Sequence, residues 1–328
     1  MSRNNQKKKV LLFSLVLSII IGGIKFLAYF LTNSNAILTD AFESIINVVA
    51  GAFALFSISL AAKPKDVDHP YGHGKIEFLS VGFEGFLISF AGLAMIGKAL
   101  YNFIFPQDLS YIDMGLYLAA ITGFLNFMLG KYLQKKGKEL QSITLEADGK
   151  HISSDAYSSV GLILGLILIY FTKIAWLDNI IAILLGIMII VTGYKLLRKS
   201  VAGVMDEADH STLEEIITVL NDNRKVEWID IHNMRLIKYG SDLHIDCHVT
   251  LPWYDSLSDS HEKIKEIENL IAAGTENHVE IFIHPDPCLP SSCSICKIEN
   301  CKVRKNEFRH TVEWNLENLI LNEKHKSE

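Results

Sequence analysis

No cysteine precedes Cys247, so thiol chemistry is confined to the end of the chain beyond its last apolar run. A surplus of positive charge is also missing: the net charge is -6, which excludes the electrostatic footprint of a nucleic-acid partner. After the basic start RNNQKKK, the first apolar stretch is too long for a cleaved leader and lacks an A-x-A exit, so it reads as a membrane helix. There is no HExxH and no nucleophile motif, which leaves an intramembrane hydrolase without support. No internal repeat is evident.

What is present is apolar length. Hydrophobic residues make up 49% of the 328 and charged ones 21%, with mean hydropathy +0.24. That balance suits a membrane segment joined to a soluble domain. Crossing a bilayer takes about 20 apolar residues, and six runs qualify: Val10 to Leu31, Ala36 to Ala62, Ile76 to Ile104, Ile112 to Leu133, Ile143 to Phe171 and Ile174 to Leu197. The links Thr32 to Asn35, Pro106 to Tyr111 and Thr172 to Lys173 hold one basic residue, Lys173. The other ends carry Lys7, Lys8, Lys9, Lys63, Lys65, Lys75, Lys131, Lys135, Lys136, Lys138, Lys195, Arg198 and Lys199, which places both termini in the cytoplasm. Glycines at 22, 23, 85, 92, 97, 123, 161, 165 and 186 permit close helix contact.

After Ser200 the composition turns soluble. Thr212 to Asn221 and His261 to Ala273 read as helices; Trp228 to Tyr239, Asp242 to Thr250 and His278 to His284 read as strands, with a hairpin at Gly240. The expected fold is therefore a six-transmembrane-helix bundle (1–200) followed by a small α+β domain of order αββαβ (201–290), with helices on one face of a sheet. A cysteine-containing tail (291–328) follows, in which Glu307 to Leu321 reads as a final helix and NEKHKSE as a solvated end.

Ionisable groups interrupt two apolar runs at helical spacing. Asp40, Glu43 and Asn47 share one face of the second helix, and Asp148, His151 and Asp155 one face of the fifth. Charge at membrane depth is costly and by default marks an ion or proton pathway. Two i, i+4 pairs, Glu43 with Asn47 and His151 with Asp155, would supply four ligands to a zinc-like dication. Asp40 and Asp148, each three residues before a candidate ligand, could line the path. Asp66, His69 and His73 form a second candidate cluster in the loop after the second helix. Further on, His232, His248 and His284 fall on strands, His244 and His278 read as solvated, and Cys247 points to the core because it alternates with His248. Cys288, Cys293, Cys296 and Cys301 enclose a C-x-x-C; in a reducing compartment they suit a structural zinc ion or an iron–sulfur cluster, or else stay as redox-active or unpaired thiols.

DAFESIIN, DHPYGHGKIE, ADGKHISSD, WIDIHNMR, LHIDCHV and FIHPDPC stand in this order, and with them the chain resembles the cation diffusion facilitators, dimeric six-helix metal-ion/proton antiporters with a cytoplasmic metal-binding domain. The resemblance extends to about Cys288. It implies a transport site at Glu43, Asn47, His151 and Asp155, although that family usually offers His or Asp followed by Asp in the second helix. It implies a second site at Asp66, His69 and His73, and regulatory metal held across a dimer interface by His232, His248, His261, His284 and Asp286. It pairs Lys75 with Asp206 as a charge interlock. It makes the chain a transporter and not an enzyme: an exporter of Zn(II) or another divalent transition metal from the cytoplasm in exchange for protons, acting as a homodimer in the inner membrane. His151, with an unperturbed pKa of roughly 6.5, is the natural proton carrier. The competing class is a membrane-anchored metal-binding or iron–sulfur protein that senses or stores metal without moving it. Six helices with paired acids exceed what an anchor needs.

Overall fold

The computed structural model describes residues 3–32, 35–105, 112–172, 174, 176–240, 242–275 and 278–325. The interhelical positions 33–34, 106–111 and Lys173, and the last residues of the NEKHKSE end, lie outside the described residues. The chain divides into two compact units, Met1–Met205 and Asp206–Glu328.

Six long helices build the first unit: α1 (Arg3–Thr32), α2 (Asn35–Ala61), α3 (Ile76–Ile104), α4 (Ile112–Glu139), α5 (Ile143–Thr172) and α6 (Trp176–Val204). Each is long and apolar enough to cross a membrane. At about 1.5 Å per residue they reach the roughly 30 Å of hydrocarbon with turns to spare. Leu12, Phe30, Phe90, Leu93, Phe124 and Leu184 point outward, an apolar surface suited to lipid. The inner faces are unusually polar. α5 has the most buried face, and that face carries Asp148, His151, Ser153, Asp155, Ser158 and Ser159.

The helices pair as α3 with α6, α4 with α5 and α1 with α2, and α2 also meets α5. Missing side chains set the first spacing. A Cβ on Gly85 would stand 2.8 Å from the Gly193 carbonyl, and one on Gly92 2.8 Å from that of Gly186. The two backbones thus approach where neither has a side chain. Gly23 and Gly97, expected to permit close contact too, do not serve that purpose: a Cβ there would meet nothing within 4 Å.

The second unit runs α7 (His210–Asp222), β1 (Asp230–Tyr239), β2 (Asp242–Leu251), α8 (Leu257–Ala273) and β3 (His278–Pro287). β1 and β2 are antiparallel around Gly240, whose φ of 64° is the left-handed conformation a tight hairpin asks for. β3 returns parallel to β2, giving the order β1-β2-β3 with α8 as the crossover. Leu213, Ile216, Ile217, Ile264, Ile267 and Ile271 of the helices pack on Ile231, Leu236, Ile245, Cys247 and Val249 of the sheet. α8 begins at Leu257, four residues before expectation, because Ser256 and Asp259 close a reciprocal cap.

The expected helix over Glu307 to Leu321 is not there. Only Leu316–Leu319 (α9) is helical. The preceding segment is extended and tied down by side chains: Arg224 stacks over the Trp314 ring at 3.9 Å and bonds the Val312 carbonyl at 2.7 Å, and Asn221 bonds that of Trp314. Trp314 and Leu319 thereby complete the core of the second unit.

Candidate metal centres

In the first unit, contact between α2 and α5 brings Glu43, Asn47, His151 and Asp155 together, all buried. Asn47 is the link. Its Nδ2 donates to Asp155 Oδ2 at 2.6 Å, and its Oδ1 accepts from His151 Nε2 at 2.6 Å. The other ring nitrogen of His151 lies 3.4 Å from Asp155 Oδ1, without hydrogen-bond geometry. That oxygen and Glu43 Oε1 are buried with no hydrogen-bond partner. Orphaned carboxylate oxygens deep in an apolar bundle are expensive. A dication bound beside them would remove the cost.

The flanking acids divide. Asp40 is held by Lys25 at 2.7 Å, both buried, while it also lines a small cavity with Glu43, Ser158 and Ser159. Asp148 accepts from Ser14 at 3.3 Å. Three charged groups join this interior that sequence reasoning missed. Lys25, 2% exposed in the C-terminal third of α1, answers Asp40. Glu84 of α3 is buried with Oε1 unpartnered. Glu77, one heptad earlier on α3, accepts from Ser142 and Thr144 and sits 3.6 Å from Lys7. Lys7, expected as a topology signal, is 1% exposed. A lone lysine in an apolar run and two glutamates seven apart on one face were the available signals.

In the loop after α2, Asp66 gathers both histidines: His69 Nδ1 lies 3.0 Å and His73 Nε2 3.4 Å away, with the rings 4.4 Å apart. The backbone N–H of His69 donates to Asp66 at 2.7 Å and holds its carboxyl below the usual range. All three donor atoms lie within 4.8 Å of one another.

Strand register builds the third cluster. His232 pairs across to His248, and His248 across to His284, so three imidazoles stand in a row over β1, β2 and β3. Asp286, two residues beyond His284 and on its face, closes the set. His232 Nε2 is 3.3 Å and His248 Nδ1 3.1 Å from Asp286 Oδ2, and these three form a group within 4.8 Å. His284 is 65% exposed, with Nε2 3.7 Å from Asp286. Desolvation works against the Asp286 charge, but the His248 hydrogen bond and neighbouring cations outweigh it and pull the carboxyl down. His261 lies exposed on α8 and is not part of this group.

Behind the cluster sit partners the sequence did not reveal. Asp230 lies 3.4 Å from His232 Nδ1, without hydrogen-bond geometry, and bonds His325 Nδ1 at 2.7 Å. Lys324 reaches Asp286 at 3.5 Å. A far C-terminal pair thus folds back on the cluster. His244, expected in solvent, is buried instead against Tyr239 with Glu280 at 3.3 Å. Cys247 is in the core as expected, and burial pushes its thiol up to about 12.

Cys288, Cys293, Cys296 and Cys301 line one cavity beside Trp253 and Tyr254. Their sulfurs are not drawn within 4.8 Å of one another as the donors of the two preceding clusters are. Lys75 precedes α3, and Asp206 opens the second unit with φ 58°.

Residues 11–205 match the cation efflux transmembrane domain and residues 208–288 the cytoplasmic domain of cation efflux proteins. An uncharacterized transporter of Synechocystis sp. is 32% identical over 82% of this chain and 91% of its own. The manganese efflux system protein MneS of Bacillus subtilis is 25% identical over 83% and 92%, respectively. A cadmium, cobalt and zinc/H(+)-K(+) antiporter of Bacillus subtilis is 24% identical over 88% and 93%.

Proposed function

Because this chain belongs to the cation efflux, or cation diffusion facilitator, family of membrane transporters, we propose that it exports Zn(II) or a similar divalent transition metal from the cytoplasm in exchange for protons. The cargo binds between α2 and α5. One observation carries this: two buried carboxylate oxygens, Glu43 Oε1 and Asp155 Oδ1, stand without partners beside an imidazole.

A metal ligand must shed its proton to bind. Loading from the cytoplasm therefore displaces protons from His151 and the acids, and reprotonation from the far side releases the ion. Asn47 keeps His151 and Asp155 apart from lipid and in register while the site is unloaded. Asp40 and Asp148 line the route. Rocking of helices around the fixed site alternates access. The cytoplasmic group His232, His248 and Asp286, with His284 at its edge and His261 supplied at the dimer interface, acts as a regulatory sensor of cytoplasmic metal. The Asp66 cluster is a second cytoplasmic site. Lys75 and Asp206 serve as the charge interlock of a homodimer in the inner membrane, with both termini cytoplasmic.

A second reading, with manganese as cargo, rests on the donor set. Glu43, Asn47 and Asp155 offer oxygen, and one imidazole completes the four; oxygen donors suit Mn(II) better than a nitrogen- or sulfur-rich set does. The B. subtilis relatives are named for manganese efflux in one case and for cadmium, cobalt and zinc in the other. A competition series of divalent ions in proteoliposomes, with luminal pH recorded, separates the two. Zinc preference appears as suppression of manganese uptake by equimolar zinc, and manganese preference as the reverse.

A further inference from the structure

The chain from Cys288 to Asn315 contains a single regular element, the five-residue 3-10 turn Pro290–Ser294. Loops of that length in a compact domain are uncommon unless something staples them. Its apolar support is small: Ile295, Val312 and Ile298 gather with Cys296 and Cys288 against Ile229. Yet the loop is tightly organised. The Arg304 guanidinium donates to the carbonyls of Cys293, Cys296 and Ile298 at 2.8 to 2.9 Å, wrapping the C-x-x-C turn around itself.

The four thiols of this segment face one cavity of about 270 Å³. Donors converge on the sulfurs. The backbone N–H of Trp253 points to Cys288 Sγ and that of Lys305 to Cys293 Sγ, both at 3.4 Å. A neutral thiol has little use for such donors, whereas a metal-bound thiolate spreads its negative charge onto them.

We propose that Cys288, Cys293, Cys296 and Cys301 bind a resident zinc ion in an all-thiolate site that staples the C-terminal segment to the second unit. This site is distinct from the transport and regulatory centres and independent of which ion is carried. Tetrahedral Cys₄ zinc with no open position is a structural arrangement. The consequence is positional: the stapled segment leads to Lys324 and His325, which rest on Asp286 and Asp230 of the regulatory cluster.

The test uses the full-length protein in detergent, dialysed against EDTA, with metal content measured by mass spectrometry and free thiols by titration. The expected result is about one zinc per chain that survives dialysis, with one reactive thiol or none before denaturation. That zinc persists in Asp155→Ala and His248→Ala and is lost in Cys293→Ser and Cys301→Ser. Cobalt exchange into the wild type gives an independent reading that needs no variant to fold: intense sulfur-to-cobalt charge transfer supports the site. Four freely titrating thiols, a cobalt spectrum without thiolate bands, or acid-labile sulfide with visible iron absorption would each overturn it. Retention in the cysteine variants with loss in His248→Ala would do the same.

Discussion

Asn47 holds His151 through its carbonyl oxygen and Asp155 through its amide nitrogen, both at 2.6 Å. A neutral residue thus links the buried imidazole of α5 to the buried carboxylate one turn on. Aspartate at this position could accept from His151 but could not donate to Asp155, so the amide is specific to the pair.

Asn47→Ala should leave the bundle folded and lower metal affinity by at least ~10- to 100-fold, since it removes both a proposed oxygen donor and the group that orients His151 and Asp155. Initial uptake rates across a metal concentration series measure it. Unchanged half-saturation would separate Asn47 from the site.

Lys25 and Asp40 form a buried ion pair at 2.7 Å within the first unit. Removing one partner strands the other, so Lys25→Ala should destabilise the protein by ~3–5 kcal/mol, and Lys25→Met with Asp40→Leu should recover most of it. Thermal unfolding in detergent reads both. A single variant no worse than the double would show that the pair is not coupled.

Lys324 occupies Asp286, a member of the cytoplasmic group. Because the pair is partly exposed, its loss is worth ~0.2–1 kcal/mol, which predicts a modest tightening of regulatory metal binding in Lys324→Ala, no more than about fivefold. Calorimetric titration of Asp155→Ala, in which the transport site is silenced, checks this. Weaker binding would make Lys324 a support of the site and not a competitor.

Asp209 caps α7, accepting from the Thr212 amide while Lys238 pairs with it. Desolvation opposes its charge, but the Lys238 and Ser211 hydrogen bonds prevail and hold its carboxyl well below the usual carboxylate range. A depressed folded-state pKa contributes stability that is complete above the unfolded value and drains away as pH falls through the folded one. Asp209→Ala should thus cost ~1–2 kcal/mol at neutral pH, the usual worth of an N-cap, and the difference should shrink progressively below about pH 4. Tryptophan fluorescence during denaturant titration at several pH values follows it.

The membrane helices were legible because length and hydropathy alone decide them, and the buried polar group of Glu43, Asn47, His151 and Asp155 because polar residues spaced by four within an apolar run are costly to turn toward lipid. The strand histidines were legible as strand residues, but their convergence depends on register: only the pairing of His232 with His248 and of His248 with His284 brings them into one row. Asp230, Lys324 and His325 were invisible for the same reason, since 95 residues separate His325 from Asp230. The burial of Lys7 and Lys25 was not legible because a basic residue near a helix end or alone in a helix has the same composition signature whether it snorkels or pairs. The tail helix failed because tertiary anchors, Arg224 on Trp314 above all, outweighed local periodicity.

The most direct test of the central claim is metal uptake and luminal pH followed together in proteoliposomes for the wild type, His151→Ala and Asp155→Ala. The account predicts coupled metal and proton movement in opposite directions for the wild type, and loss of both fluxes in the two variants while each remains folded. Undiminished coupled flux in both variants would contradict it.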